Sequence, residues 1–149
     1  MTPERDARYS RVLQEVETAV RNPAVYRVAA DLIRTKGHTR EVFAATGPHD
    51  QGGRVCNIEA PEAACFCIMG ALVRAGVDLD LLHPQASLSR WDADWTDGDA
   101  YGFAMMAEAT RIMDLPQRAN AWNNDKTRTA EEVIAALEAG AAALEDEGD

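Results

Sequence analysis

The stretch CFCIMGALVRAG, residues 65–76, carries the clearest structural signal in this sequence. It overlaps a run of eleven uncharged residues, 63–73. Pro61 lies before this run and is typical of a helix start, and Gly76 lies after it and is typical of the position just past a helix end. A helix that is apolar on all sides is normally buried. The sequence therefore predicts a buried central helix over residues 61–75.

Two adjacent small residues, Gly70 and Ala71, lie inside this predicted helix. A glycine within a helix is about 1 kcal/mol less favourable than an alanine, so its presence calls for a reason in the packing. A helix surface without side chains lets another backbone come close. We therefore expect a tight crossing of the central helix at Gly70.

Four further segments show the spacing of an amphipathic helix, with apolar residues at steps of three and four. Asn22-Pro23 and the box Thr129-x-x-Glu132 are typical helix starts. The apolar stripes are Tyr9, Val12, Leu13, Val16 and Val20; Val25, Val28, Ala29, Leu32 and Ile33; Tyr101, Met105, Ala109 and Ile112; and Val133, Ile134, Leu137, Ala141 and Leu144.

The segments between the stripes are predicted to be loops. Residues 46–57 are rich in Gly, and residues 84–99 are rich in Asp, Ser and Trp, while residues 38–45 fit one more helical turn or a short strand. The sequence thus predicts a mainly α, single-domain helical bundle over residues 1–149, with about five principal helices and two long loops. The acidic tail, residues 145–149, is expected to fray.

Composition restricts the class of protein. The chain of 149 residues has a net charge of −10, and residues 41–149 hold seven basic against twenty acidic side chains. An acidic chain disfavours direct nucleic-acid binding and favours a partner protein with a basic surface. No apolar run is long enough to span a membrane, and the N-terminus lacks an apolar signal region. With three cysteines and no signal, we expect a cytoplasmic protein with reduced thiols.

The cysteines at positions 65 and 67 admit two interpretations. If the helix begins at Pro61, Cys65 and Cys67 lie about 200° apart around its axis and fill the core. In a dry core the change Cys67→Ser should then cost about 1–3 kcal/mol. If the helix begins near Phe66 instead, Cys67 lies in the first turn, where the helix dipole lowers a thiol pKa.

The second interpretation makes Cys67 a candidate nucleophile. A cysteine nucleophile needs a general base, here His38, and a group that orients the imidazole, here Asp125 or a neighbouring asparagine. These three residues, Cys67, His38 and Asp125, are the catalytic candidates of the sequence.

Metal binding is a further alternative. Cys56, Cys65, Cys67 and His49 could supply four zinc ligands, but the spacing C-x₈-C-x-C lacks the close pair of a structural zinc site. The loop DADWTDGD, residues 92–99, has four carboxylates but is out of register with a calcium-binding loop. We therefore predict no metal site, and we predict no cofactor.

The stretch AWNNDKTRT, residues 121–129, combines an aromatic residue with amides and a carboxylate. Such residues can form a simple polar turn whose side chains bond to the local backbone. They are also the types that a polar pocket with an aromatic wall would use. The candidate binding residues are Trp122, Asn123, Asn124 and Asp125.

Three motifs occur in a fixed order along the chain. They are Cys67-Ile-Met-Gly-Ala, Trp122-Asn-Asn-Asp, and Arg128-Thr129 followed by Val133. The chain resembles a family of small actinobacterial and bacteriophage proteins of unknown function with the motifs C-x-x-G-A, W-N-D and R-T-x-x-E-V. The resemblance covers roughly residues 25–143 and implies no known activity. It singles out Cys67 among the cysteines, and the extra asparagine leaves the match of the motif's Asn ambiguous.

Three classes of function remain open on this evidence. The first is a small acidic accessory or regulatory protein that binds another protein, with a phage or mobile-element inhibitor of a host defence complex as a special case. The second is a cysteine-dependent hydrolase or transferase with Cys67 as nucleophile. The third is a small-ligand or metal-binding module. The sequence gives no oligomeric state.

Overall fold

Helices dominate the structure, a computed structural model of the chain that describes residues 3–47, 52–84 and 97–147. Within these ranges it contains six helices and two short strands, which confirms the mainly α fold. The elements in chain order are α1 Pro3–Ala19, α2 Pro23–Thr35, β1 Ala44–Ala45, β2 Cys65–Phe66, α3 Ile68–Asp78, α4 Asp97–Ile112, α5 Ala119–Asn124 and α6 Ala130–Glu147.

Five of these helices match the five predicted principal helices, and α5 is an addition. Residues Trp122 to Asn124, which the polar-turn interpretation treated as a turn, belong to α5. The helix is only six residues long, so its hydrophobic periodicity is too short to be recognised in the sequence. The strands β1 and β2 pair in antiparallel fashion, in agreement with the short strand considered for residues 38–45.

The central helix begins later than predicted. Helix α3 starts at Ile68, so the prediction of a helix from Pro61 is wrong for residues 61–67. The amide of Phe66 donates to the carbonyl of Gly37 at 3.0 Å, and β2 pairs with β1, so this part of the apolar run is extended. A short apolar run suits a buried strand as well as a buried helix, and burial alone does not separate them. The burial of α3 itself agrees with the prediction.

Two predicted helix starts are found in the structure. The side chain of Asn22 accepts a hydrogen bond from the amide of Ala24 at 2.9 Å and caps α2. At the start of α6, the hydroxyl of Thr129 accepts from the amide of Glu132, and the carboxylate of Glu132 accepts from the amide of Thr129. Each cap satisfies backbone amides that have no partner within the helix.

Helix α2 packs between α6 and α3, and α1 packs on α4. Buried apolar side chains of the larger helices belong to a common hydrophobic cluster. Helix α6 continues to Glu147, so residues 145–147 of the acidic tail are helical, and its last two residues lie outside the described ranges. Among the helices of these segments, none combines the length and hydropathy that a bilayer crossing requires.

Candidate functional site

A buried asparagine on α5 links three segments of the chain. Asn123 is fully buried, and its Oδ1 accepts a hydrogen bond from the amide of Ile68 at 3.0 Å. The same oxygen lies 2.8 Å from Nε2 of His38, and the side-chain amide donates to the carbonyl of Thr39 at 3.1 Å. Asn123 therefore ties the start of α3 to the segment that follows α2. We call these contacts the Asn123 hub.

The hub defines the state of His38. Since Oδ1 of Asn123 is an acceptor, Nε2 of His38 is the nitrogen that carries the proton in the neutral ring. Burial lowers the pKa of His38; the hydrogen bond to Asn123 opposes this change and the nearby Arg40 adds to it. The imidazole is therefore neutral at pH 7, and its ring is oriented by Asn123 rather than by Asp125.

Cys67 is the N-cap residue of α3. Its Sγ accepts a hydrogen bond from the amide of Gly70 at 3.3 Å, and only 5% of the residue is exposed. Burial raises the pKa of the Cys67 thiol to about 11, although backbone amides of Gly70 and Met69 lower it in part. The interpretation that the helix begins near Phe66 was thus nearly right about the position of Cys67. Its expectation that the pKa of Cys67 is lowered is wrong, because burial raises this pKa more than the helix terminus lowers it.

The structure does not assemble the three catalytic candidates into a relay. No hydrogen bond joins Cys67 to a histidine among the residues that the structure describes. The Asp125 carboxylate is exposed and accepts from the amide and hydroxyl of Thr127, and these two bonds lower its pKa. This arrangement leaves Asp125 in a local turn of the backbone. A catalytic role for Cys67, His38 and Asp125 stays a prediction that this geometry does not favour.

The four candidate binding residues have separate roles. The Trp122 ring is buried beneath the Arg128 guanidinium, whose central carbon lies 4.0 Å from the ring centroid. Asn123 forms the hub, Asp125 forms its turn, and Asn124 lines an open pocket. Trp122 therefore packs against Arg128, and it is not among the residues that line this pocket.

That pocket lies between α3, α4, α5 and the segment before β1. Its volume is about 130 Å³, and its lining includes Glu41, Phe43, Cys67, Phe103, Asn120 and Asn124. The rings of Phe43 and Phe103 meet edge to face with centroids 5.4 Å apart, and Phe103 is 45% exposed. The aromatic wall of the pocket thus comes from residues that sequence reasoning did not select.

Two signals could have found the missed residues. Asn120 and Asn124 are four positions apart, the spacing that places side chains on one helix face. Phe103 lies off the apolar stripe of its helix, so a large apolar side chain had to face outward there. No pattern in the sequence identifies Glu41 or Phe43, because both reach the pocket through the path of a loop.

Glu41 has an unusual backbone conformation. Its φ angle is 71°, in the left-handed region that non-glycine residues rarely adopt. The amide of Glu41 donates to Oδ1 of Asn124 at 2.7 Å, and the neighbouring Arg40 donates to the carbonyls of Asp125 and Arg128. These bonds hold the strained residue at the edge of the pocket.

No group of three or more His, Cys, Asp or Glu side chains is arranged to hold a metal ion in the described ranges. His49 and residues 92–96 of the acidic loop, which entered the metal alternatives, lie outside these ranges.

Glu59 is a buried acidic residue outside the pocket, and both of its carboxylate oxygens are buried without a hydrogen-bond partner. Burial raises the pKa of Glu59, and the nearby Asp99 and Asp97 raise it further.

Fold and site together define a small, mainly helical domain with a buried polar hub beside a small open pocket. The model of a family of unknown function (DUF6197) matches residues 17–143, so the chain belongs to that family. This result confirms the resemblance to a family of unknown function, while the actinobacterial and phage range stays a prediction. No curated protein and no solved structure matches the chain.

Substitutions of Cys67 separate a helix cap from a nucleophile. Because serine is a favoured N-cap whose hydroxyl can accept the Gly70 amide, Cys67→Ser should change the free energy of unfolding by less than about 1 kcal/mol. This replaces the larger loss that a dry core would give. Cys67→Ala removes the cap and should cost about 1 kcal/mol. Urea denaturation followed by circular dichroism measures both values.

Alkylation of the native protein provides the control for this prediction. Iodoacetamide should modify the half-buried Cys56 before Cys65 and Cys67, which are buried. The three cysteines share one tryptic peptide, residues 55–74, so fragment ions of that peptide in tandem mass spectrometry identify the labelled residue. Rapid labelling of Cys67 near neutral pH would contradict the structural role and would revive the nucleophile.

Proposed function

We propose that this protein acts by binding another protein that presents a basic segment. The observation that carries the proposal is the excess of acidic side chains, 25 against 15 basic ones. Even if every basic residue paired with one acid, ten carboxylates would have no counterpart within the chain. Those charges are available to attract a basic partner.

Internal ion pairs use part of the charge of the chain. Arg27 contacts Glu145 and Arg34 contacts Glu138, so basic residues of α2 are paired with acidic residues of α6. These pairs join two packed helices and leave the acidic excess of the whole chain unchanged. Some of the basic residues near the N-terminus therefore neutralise acidic residues near the C-terminus within the fold. The acidic side chains that exceed the basic ones in number are those that can attract a partner.

The burial of Cys67 does not favour the catalytic alternative. A cysteine nucleophile requires an accessible thiolate, whereas burial raises the pKa of Cys67 to about 11. The net negative charge of the chain argues against direct contact with nucleic acid.

We propose that the protein is a cytoplasmic accessory or regulatory factor. A phage or mobile-element inhibitor, whose carboxylates replace nucleic-acid phosphates on a host complex, is the special case.

Binding to an array of short peptides of random sequence tests this function. The bound peptides should be enriched in Arg and Lys, and the affinity should fall at least about tenfold between about 50 and 300 mM NaCl, because salt screens the attraction. Fluorescence anisotropy of the best peptides measures the dissociation constants.

A control protein of similar size and net charge distinguishes specific recognition from general attraction. The two proteins should select different peptides if this chain recognises a particular partner. Identical selections would contradict the proposed function, as would binding that is unaffected by salt. Consumption of a bound peptide by the unmodified protein that stops in Cys67→Ala, with the fold intact, would support the catalytic alternative instead.

A further inference from the structure

We propose that the pocket beside Cys67 receives an arginine side chain of the basic partner. The inference rests on the proposed function and names the site at which it is carried out. Glu41 is the one charged residue among those that line the pocket, and its side chain is exposed. A pocket whose lining carries a single negative charge favours a single positive guest.

The aromatic part of the lining suits a guanidinium group. Phe43 and Phe103 form one wall, and a planar guanidinium stacks on an aromatic face while its stem packs against apolar surface. Lysine offers a compact, strongly hydrated charge and gains less from such a wall. The volume of about 130 Å³ suits one side chain rather than a large cofactor.

Asn120 supplies the second acceptor. Its Oδ1 is buried without a hydrogen-bond partner, whereas the amide oxygens of Asn123 and Asn124 both accept hydrogen bonds. A buried carbonyl oxygen without a partner is costly. Since no bond fixes the Asn120 amide, it can turn toward a donor that enters the pocket. The N–H groups of a guanidinium could then reach Asn120 and Glu41 together.

The start of α3 does not provide an anion site in the same place. Helix N-termini attract anions through unpaired amides. Here the amide of Cys67 donates to the carbonyl of Phe43, that of Ile68 donates to Asn123, and that of Gly70 donates to Cys67. These amides are occupied within the chain, so the start of α3 adds no free backbone donors to the lining. The charge of the guest is then set by the Glu41 carboxylate, which favours a cation over a phosphate or a carboxylate.

The backbone of Glu41 supports the assignment. A residue with φ of 71° is held in a sparsely populated conformation, and such strain is common where a side chain must be placed for binding. The bond from its amide to Asn124 joins the strained residue to the pocket wall. The carboxylate is thus attached to a fixed backbone and not to a free loop.

Titration by NMR tests the proposal with N-acetyl-L-arginine methylamide as the probe. We expect saturable shifts of the side-chain amide signals of Asn120 and Asn124 in the full chain. The uncharged citrulline analogue should bind at least about fivefold more weakly, because it lacks the charge. The lysine analogue should also bind more weakly than the arginine probe.

Two variants locate the binding site. Glu41→Gln should weaken binding of the arginine probe at least about fivefold, and Phe103→Ala should weaken it as well. The matched control is Glu62→Gln, since Glu62 is an exposed acid that does not line the pocket, and it should leave the affinity unchanged. The amide spectrum of each variant verifies that the fold is retained.

The outcomes separate this inference from the proposed function. Equal affinity for the citrulline or lysine analogue, or shifts confined to other surfaces, would overturn the arginine pocket. If basic peptides still bind to Glu41→Gln and Phe103→Ala with unchanged affinity, the pocket assignment fails while the binding function stands. If the arginine probe binds in the pocket but no basic peptide binds, the pocket is retained and the proposed function fails.

Discussion

Gly70→Ala should reduce the free energy of unfolding by about 3–5 kcal/mol, a large part of the stability of a small domain. A Cβ atom at Gly70 would lie 1.8 Å from the carbonyl oxygen of Phe43 and 2.7 Å from its carbonyl carbon. Both are backbone atoms, so no side-chain rotation can relieve the overlap. Urea denaturation monitored by circular dichroism measures the loss.

The expected sign is opposite to that of helix propensity. In an exposed helix, replacing glycine with alanine would gain about 1 kcal/mol. Gly47→Ala is the matched control, because a Cβ at Gly47 would meet nothing within 4 Å. That variant should differ little from the unmodified chain. Unchanged stability of Gly70→Ala would show that the loop does not approach α3 as described.

Asn123→Ala should lower the free energy of unfolding by about 2–4 kcal/mol. The change removes the acceptor for the amide of Ile68 and the donor to the carbonyl of Thr39, and it leaves the His38 ring without its partner. Each buried polar group that loses its hydrogen bond costs about 1–3 kcal/mol. Thermal and urea denaturation measure the effect at equilibrium.

Asn120→Ala is the control for the hub. This change also removes an asparagine side chain from α5, but the Oδ1 of Asn120 has no hydrogen-bond partner to lose. Its stability should therefore change by less than about 1 kcal/mol. Equal losses in the two variants would contradict the hub, since they would reflect only the truncation of α5.

The resemblance to a family of unknown function is confirmed, because the family model matches residues 17–143. The motif residues have structural roles in this chain. Cys67 caps α3, Asn123 forms the hub, and Thr129 caps α6. The two adjacent asparagines have different partners, because Asn123 bonds to α3 while Asn124 bonds to the loop at Glu41.

The pocket could be predicted only in part. The sequence identified Asn124 and Cys67, and the spacing of Asn120 from Asn124 was there to be used. Glu41 and Phe43 could not be placed, because the conformation of their loop depends on bonds to residues more than eighty positions away, such as the one from Glu41 to Asn124. Local propensity carries no information about such partners.

Helix periodicity and caps lie within a few residues of one another, so the sequence alone was sufficient for the mainly α fold, the start of α2 and the capping box of α6. The close approach at Gly70 was also predicted, but not that the Phe43 carbonyl makes it. The start of α3, the pKa of Cys67 and the partner of His38 depend on tertiary contacts. Strand pairing of residues 65–66 replaced the predicted first turns of the helix. Burial raised the pKa of the Cys67 thiol more than the helix terminus lowered it. The imidazole of His38 bonds to Asn123, which is 85 positions away in the sequence. Burial and long-range hydrogen bonds arise only when segments far apart in the chain pack together, which is why the pocket and the hub belong to the tertiary structure.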